Sequence, residues 1–209
     1  MNKPKIIKAL YKAQNVYCDY KKPLLGGAGL YQPIYLDHRN LLSYPKELSI
    51  VFNQLKGLLP KHYNIIAGNE SAGIAFAGIL ARALVKPMIY VRKKPKTNGT
   101  KKQIEGILKP GQKVVLIDDM MVTGSNINNA VKVLRKNKAK VEDVIVVSIV
   151  KKELAKKIEK ASKIKIHYLV TFQEIANFGI KHNIFDLEDT LAIKQYLKDP
   201  INWGSRIKK

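Results

Sequence analysis

Two adjacent carboxylates, Asp118 and Asp119, stand between an apolar run, Val114 to Ile117, and a small polar loop ending in Thr123, Gly124 and Ser125. The run has the length of a fully buried strand, and the acidic pair falls where that strand is expected to end. Beyond the loop, Ile127, Ala130, Val131 and Leu134 recur at helical spacing. A loop entering a helix presents unpaired backbone N–H groups and the positive end of the helix dipole, which favour a phosphate. Gly124 lets the backbone approach the ligand, and the Thr123 and Ser125 hydroxyls add donors. The carboxylates would repel a bare phosphate. They suit hydroxyl groups or a hard cation such as Mg²⁺, so a sugar phosphate with a free diol satisfies both halves. A buried strand followed by an Asp-rich helix cap is the simpler alternative.

Two further stretches carry candidate chemistry. Residues 92–102 contain Arg92, Lys93, Lys94, Lys96, Lys101 and Lys102 together with Pro95 and Gly99. Such a segment cannot sit in a core and is expected to be an exposed cationic loop. Loops of this length often close over a ligand, and an anionic leaving group such as pyrophosphate fits these charges. A nucleic-acid contact or a solvated charge run fits them too. The turn Gly68-Asn69-Glu70-Ser71-Ala72-Gly73 again puts small residues before a helix, with Ser71 able to serve as an ordinary N-cap.

The elements that must position these residues follow from periodicity. Strands are expected at Ile34–Leu36, Asn64–Ala67, Met88–Val91, Val114–Ile117, Val141–Val150 and Ile164–Leu169. Helices are expected within residues 3–20, over about 45–58, from Gly73 to about Val85, after Ser125, over 153–162, from Thr171 and over 187–197. Strands alternating with helices over residues 60–150 predict an α/β fold, a mostly parallel sheet flanked by helices. The candidate residues fall at strand ends, where such sheets bind ligands. Lys21 to Pro33 is Pro/Gly-rich and reads as a loop, and no linker splits the 209 residues, so one domain is expected.

Composition bounds the partners. Thirty-eight basic residues against sixteen acidic ones give a net charge of +22, which attracts polyanions without naming one. Nucleic acid is possible on this ground, although lysines spread along the chain, as at Lys151, Lys152, Lys156, Lys157 and Lys160, equally make a solvated face. No apolar run has the length of a membrane span, no signal-peptide core opens the chain, and Cys18 has no internal partner. A cytoplasmic protein is the expectation.

The stretch Lys113–Ile127 resembles the phosphoribosyl pyrophosphate (PRPP) signature of the type I phosphoribosyltransferases. The resemblance implies that Asp118 and Asp119 hold the ribose hydroxyls, and Mg²⁺ directly or through those hydroxyls or water. It implies that Val122, Thr123, Gly124, Ser125 and Asn126 hold the 5-phosphate. Val122 departs from the family's usual Thr. The string GLYQPIYLDHRNLLSYP, residues 29–45, is similar to orotate phosphoribosyltransferases in particular. There it belongs to a hood, formed here by about residues 1–45 and the C-terminal segment, with Tyr35 among the substrate contacts. Tyr90-Val91-Arg92-Lys93, then Lys96 and Gly99, then Ile104-Glu105-Gly106, resembles that family's catalytic loop. Arg92, Lys93 and Lys96 would stabilise departing pyrophosphate, and Asn98 stands where many members have His. In the family this loop reaches the partner subunit, which implies a homodimer sharing residues Lys93–Lys102.

Glu70-Ser71-Ala72-Gly73 resembles the family's pyrophosphate loop, in wording closer to the purine-using members. Two other departures are Gly27, where the family has a Lys that contacts PRPP, and Lys151-Lys152 after Val150, where it has an Asp-Arg pair whose Arg grips orotate. The resemblance implies a type I phosphoribosyltransferase-like fold and transfer of phosphoribosyl from PRPP to a nucleobase, orotate first. The alternatives are an enzyme for another base and a PRPP- or nucleotide-binding regulator that contacts nucleic acid.

Overall fold

The computed structural model describes residues 1–26, 31–95 and 102–204. In chain order the elements are α1 (Lys3–Lys12), β1 (Val16–Cys18), β2 (Leu24–Leu25), β3 (Tyr31–Gln32), β4 (Ile34–Leu36), a 3-10 helix (His38–Ser43) and α2 (Pro45–Lys56). Then come β5 (Ile65–Asn69), α3 (Ala72–Leu84), β6 (Met88–Val91), β7 (Ile104–Glu105), β8 (Lys113–Met121), α4 (Ser125–Lys136) and β9 (Lys140–Ile149). The chain continues through α5 (Lys152–Ser162), β10 (Lys165–Thr171), α6 (Phe172–Lys181), α7 (Leu187–Lys198) and α8 (Pro200–Trp203). These elements gather into two compact units, residues 51–169 and residues 1–50 with 170–209. No helix among the described residues is long and apolar enough to cross a membrane.

The main sheet has the strand order β10-β9-β8-β5-β6-β7. β5 runs parallel to β6 and β8, and β8 parallel to β9, while β7 is antiparallel to β6. The fold is therefore α/β with a mostly parallel sheet, as the strand–helix alternation predicts. Ile65, Ile66 and Ala67 are buried in succession, as are Val114 to Ile117, because both faces of the sheet are covered. On one face α4 lays down Ile127, Ala130, Val131 and Leu134, and α5 adds Ala155 and Ile158 to the same cluster as Val141, Val144 and Val146. Phe76 and Leu80 of α3 are also buried, with Phe52 of α2 edge-on to Phe76 at 5.1 Å.

The structure corrects where the central strand ends. β8 continues through Asp118 and Asp119 to Met121 rather than stopping at Ile117. Met120 and Met121 pair with Ser148 and Ile149 of β9, and the Val150 N–H donates to Met121 O at 3.1 Å. The long partner strand thus carries the ladder past the drop in hydropathy. The loop shrinks to Val122, Thr123 and Gly124.

In residues 1–50 and 170–209, β1 pairs antiparallel with β4 and β2 with β3, so part of the Lys21 to Pro33 stretch is a short ribbon rather than a loop. Tyr11 of α1 donates to Ile175 O at 2.9 Å and stacks on Phe178 of α6. α6 begins with a complete capping box. Thr171 Oγ1 accepts the Glu174 N–H at 3.2 Å, and Glu174 Oε2 accepts the Thr171 N–H at 2.8 Å. Lys3 Nζ closes on the other Glu174 oxygen at 2.6 Å. Thr171→Ala is expected to lower stability by about 1 kcal/mol, read as a lower urea midpoint at unchanged slope, and Thr171→Ser to retain most of it. An unshifted midpoint in Thr171→Ala would show the cap to be redundant.

Candidate active site

Parallel strands bring their C-terminal ends to one edge of the sheet, and the candidate loops of residues 51–169 leave from that edge. Asp118 lies on β8 opposite Val146, one residue beyond the Gly68–Ile117 pair. It is only 7% exposed. Asn69, the last residue of β5, donates its amide to Asp118 Oδ2 at 2.6 Å, and the Asp119 N–H donates to Asp118 Oδ1 at 3.0 Å. Burial pushes the Asp118 carboxyl well above the usual carboxylate range, and the Asp119 charge pushes the same way against the Asn69 bond. Asp119 is half-buried and is the accessible member of the pair.

The next residue, Glu70, ties the adjacent loop into the same network. Its N–H donates to Val91 O at 3.0 Å, and its Oε2 accepts the Lys93 N–H at 2.6 Å. The Glu70–Ser71 peptide is cis. Arg92 is fixed from the other side, its N–H donating to Gln103 O at 2.9 Å while Gln103 Nε2 donates back to Arg92 O at 2.9 Å. The Arg92 guanidinium lies 4.0 Å from Glu105. The chain Asp118–Asn69–Glu70–Lys93 thus links the acidic pair, the β5–α3 turn and the stem of the basic segment.

Ser71 occupies the N-cap position of α3 but makes no side-chain cap bond, so its hydroxyl does not do the capping that sequence alone suggests. Gly68 and Gly73 are required by close approach. A Cβ on Gly68 would lie 2.7 Å from Gly73 O, and one on Gly73 2.5 Å from Ile117 O. Ala72 follows Ser71 and is half-buried.

On the other side of β8, Gly124 precedes α4 at φ +77°, a left-handed conformation that favours glycine. The hydroxyls of Thr123 and Ser125 are 3.0 Å apart, and both residues, with Asn126, are exposed. The first intrahelical backbone bond runs from the Asn128 N–H to Gly124 O, which leaves the N–H groups of Asn126 and Ile127 directed out of the helix start, while the Ser125 N–H donates to Thr123 Oγ1 at 3.4 Å. Val122 is half-buried and offers no hydroxyl. Chemically, this loop can hold a phosphate, and Asp119, near the end of the same strand, can accept from hydroxyls.

Among the described residues no group of three or more His, Cys, Asp or Glu side chains gathers as a metal cage. Two carboxylates suit Mg²⁺ as a cation that takes its remaining oxygens from water and a bound diphosphate or diol. Tyr35 lies on β4, in residues 1–50, half-buried opposite Tyr17. Lys96 and Asn98, like Gly27, fall outside the described residues. Sequence places Asn69 inside the Gly68–Gly73 turn without giving it a role of its own. Its signal is a polar amide closing an apolar strand, which acquires meaning only through a bond to a residue 49 positions away.

A phosphoribosyl transferase domain model matches residues 37–189, the class that this sheet and these strand-end loops define. The chain is 32% identical over 209 residues to the orotate phosphoribosyltransferase of Lactobacillus johnsonii, covering 99% of both chains. The chain belongs to the orotate phosphoribosyltransferase family. Among solved structures, the orotate phosphoribosyltransferase of Aeropyrum pernix superposes with a TM-score of 0.74 at 25% identity, over 87% of this chain and 99% of that one. The Leishmania donovani UMP synthase superposes at 0.79 and 24% identity, a likeness of fold. It spans 93% of this chain and 42% of that longer one.

Proposed function

We propose that this protein transfers the phosphoribosyl group of PRPP to orotate, releasing pyrophosphate, in pyrimidine nucleotide synthesis. The reading is carried by the network that joins Asp118, Asn69, Glu70 and Lys93 beside the Thr123–Ser125 loop. Orotate N1 forms the new bond to the anomeric carbon, the C–O bond to pyrophosphate breaks with its electron pair, and the N1 proton leaves to solvent. Positive charge develops on the ribose as that bond lengthens. Asp119, with Asp118 behind it, binds the ribose diol and favours that charge. Thr123 to Asn126 anchor the 5-phosphate through hydroxyls and helix-start N–H groups. The Glu70–Gly73 turn, Arg92, Lys93 and Lys96 receive the pyrophosphate, and Asn98 adds a donor that cannot titrate.

Asp119, with Asp118 behind it, would hold Mg²⁺ directly or through water and the ribose hydroxyls. When bound, the ion neutralises diphosphate charge. We further propose that residues 1–45 and the C-terminal segment act as a hood that includes Tyr35. The enzyme would be cytoplasmic, in keeping with the single Cys18, and would form a homodimer sharing residues 93–102 across subunits.

The wording Glu70-Ser71-Ala72-Gly73, and Lys151 in place of an Arg fork, favour one second reading, transfer to another base. Purified protein with PRPP, Mg²⁺ and orotate is expected to consume orotate and release pyrophosphate one for one. Turnover with a purine and none with orotate would establish the second reading. No turnover with any base would overturn both. Lys96→Ala is expected to lower turnover at least tenfold, on the order of 1.4 kcal/mol or more in the barrier. A wild-type rate would remove Lys96 from the mechanism.

A further inference from the structure

A cavity in residues 51–169 lies at the opposite end of α4 from the Thr123–Ser125 loop. It has a volume of about 470 Å³ and opens between the β7–β8 connection and the last turn of α4. α4 starts at Ser125, beside the phosphate loop, and ends at Lys136, on the cavity wall. At 1.5 Å per residue the two ends are roughly 17 Å apart. Ile104, Ile107, Leu108 and Pro110 form an apolar side, with Ile107 79% exposed. Lys102, Lys136 and Lys138 supply three ammonium groups, and none of the described lining residues is acidic. None of these lysines takes part in an ion pair among the described residues.

The backbone around the cavity is fixed. Lys138 adopts φ +62°, its N–H donates to Arg135 O at 2.9 Å, and its carbonyl accepts the Gly111 N–H at 2.8 Å. Gly106 turns at φ +93° against Ile89. The volume suits a molecule of about nucleoside-monophosphate size. Three cations facing an apolar wall select an anionic head on a flat or apolar body, because each ammonium gains a partner and the wall leaves water. The cavity also touches the stem of the basic segment. Ile104 pairs with Val91 in β7–β6, and Gln103 between Lys102 and Ile104 holds the Arg92 backbone in both directions.

We propose that this cavity binds a small organic phosphate with an apolar or aromatic body, and that its occupant acts on the Arg92–Lys93 arm. A ligand that prefers one arrangement of that stem changes PRPP affinity by the same factor that PRPP changes its own.

The probe is 1-naphthyl phosphate, titrated into the full-length protein while backbone amide resonances are followed. Saturable shifts are expected at Gly106 to Leu108 and Lys136 to Lys138. Inorganic phosphate alone is expected to bind at least tenfold more weakly. In Lys136→Glu/Lys138→Glu the affinity should fall at least tenfold while turnover without the probe is unchanged, and Lys136→Arg/Lys138→Arg should restore it. With wild type the probe is expected to shift KM for PRPP at least twofold, an effect absent from the double Glu variant. Shifts confined to Thr123–Asn128, or equal affinity in the double Glu variant, would overturn the site. Binding at the cavity with KM unmoved would overturn its action on the arm. Because the shifts are mapped without substrate, the cavity site stands apart from success or failure of the transfer assay, whereas its action on the arm rests on the proposed transfer.

Discussion

Asp119→Asn is expected to lower kcat/KM for PRPP by about a hundredfold, roughly 2.7 kcal/mol of transition-state stabilisation. The two members of the acidic pair differ in their access to a ligand. Asp118 is 7% exposed and spends both oxygens inside the protein, one on the Asn69 amide and one on the Asp119 N–H. Burial and the Asp119 charge both push the Asp118 carboxyl up, and Asp119 is the half-buried, accessible member of the pair. Asn keeps the size and can still bond one hydroxyl, but it loses that charge. Asp118→Asn is therefore expected to cost less in kcat/KM than Asp119→Asn, since it acts through position. Steady-state kinetics on both variants, with far-UV circular dichroism to show that each is folded, decides the point. A wild-type rate in Asp119→Asn would remove it from the chemistry, and a larger loss in Asp118→Asn would reverse the assignment.

Much of this arrangement is legible in the sequence because it is local. The apolar run Val114–Ile117, the helical recurrence of Ile127, Ala130, Val131 and Leu134, and the Thr171/Glu174 spacing each carry their structure within a few residues. The features that escape are made by partners distant in the chain. β7 is two residues long and exists because Ile104 and Glu105 meet Val91 and Tyr90. β8 outruns its apolar stretch because β9 continues beside it. Asn69 reads as one polar residue in a turn until the sheet sets it against Asp118. Tyr35 shows the reverse case. Its strand is visible, yet its part in a site depends on surroundings that a local pattern does not contain.

Two glycines of one helix separate folding from function most sharply. Gly73 lies in the first turn of α3 and Gly78 in its middle. Alanine is favoured over glycine inside a helix by about 1 kcal/mol, so propensity alone predicts stabilisation at both. At Gly78 a Cβ meets nothing within 4 Å, and Gly78→Ala is expected to raise stability with the turnover unchanged. At Gly73 a Cβ would stand 2.5 Å from Ile117 O and 3.2 Å from both the Asp118 Cα and its Oδ1. These neighbours are the backbone of the central strand and a carboxylate held on two sides, so neither swings away as a surface side chain could. Overpacking of this kind costs about 1–3 kcal/mol, which exceeds the propensity gain. Relief must come from α3 retreating or β8 shifting, and either separates the Glu70–Gly73 turn from the Asp118–Asp119 pair. Displacement of about 1 Å at a reacting site is worth roughly a hundredfold in rate. Gly73→Ala is accordingly expected to lose stability by urea unfolding and about two decades of turnover, opposite in sign to Gly78→Ala. Equal stability and equal rates in the two variants would show that the contact between α3 and the end of β8 is loose, and that the spacing of the two loops does not depend on it.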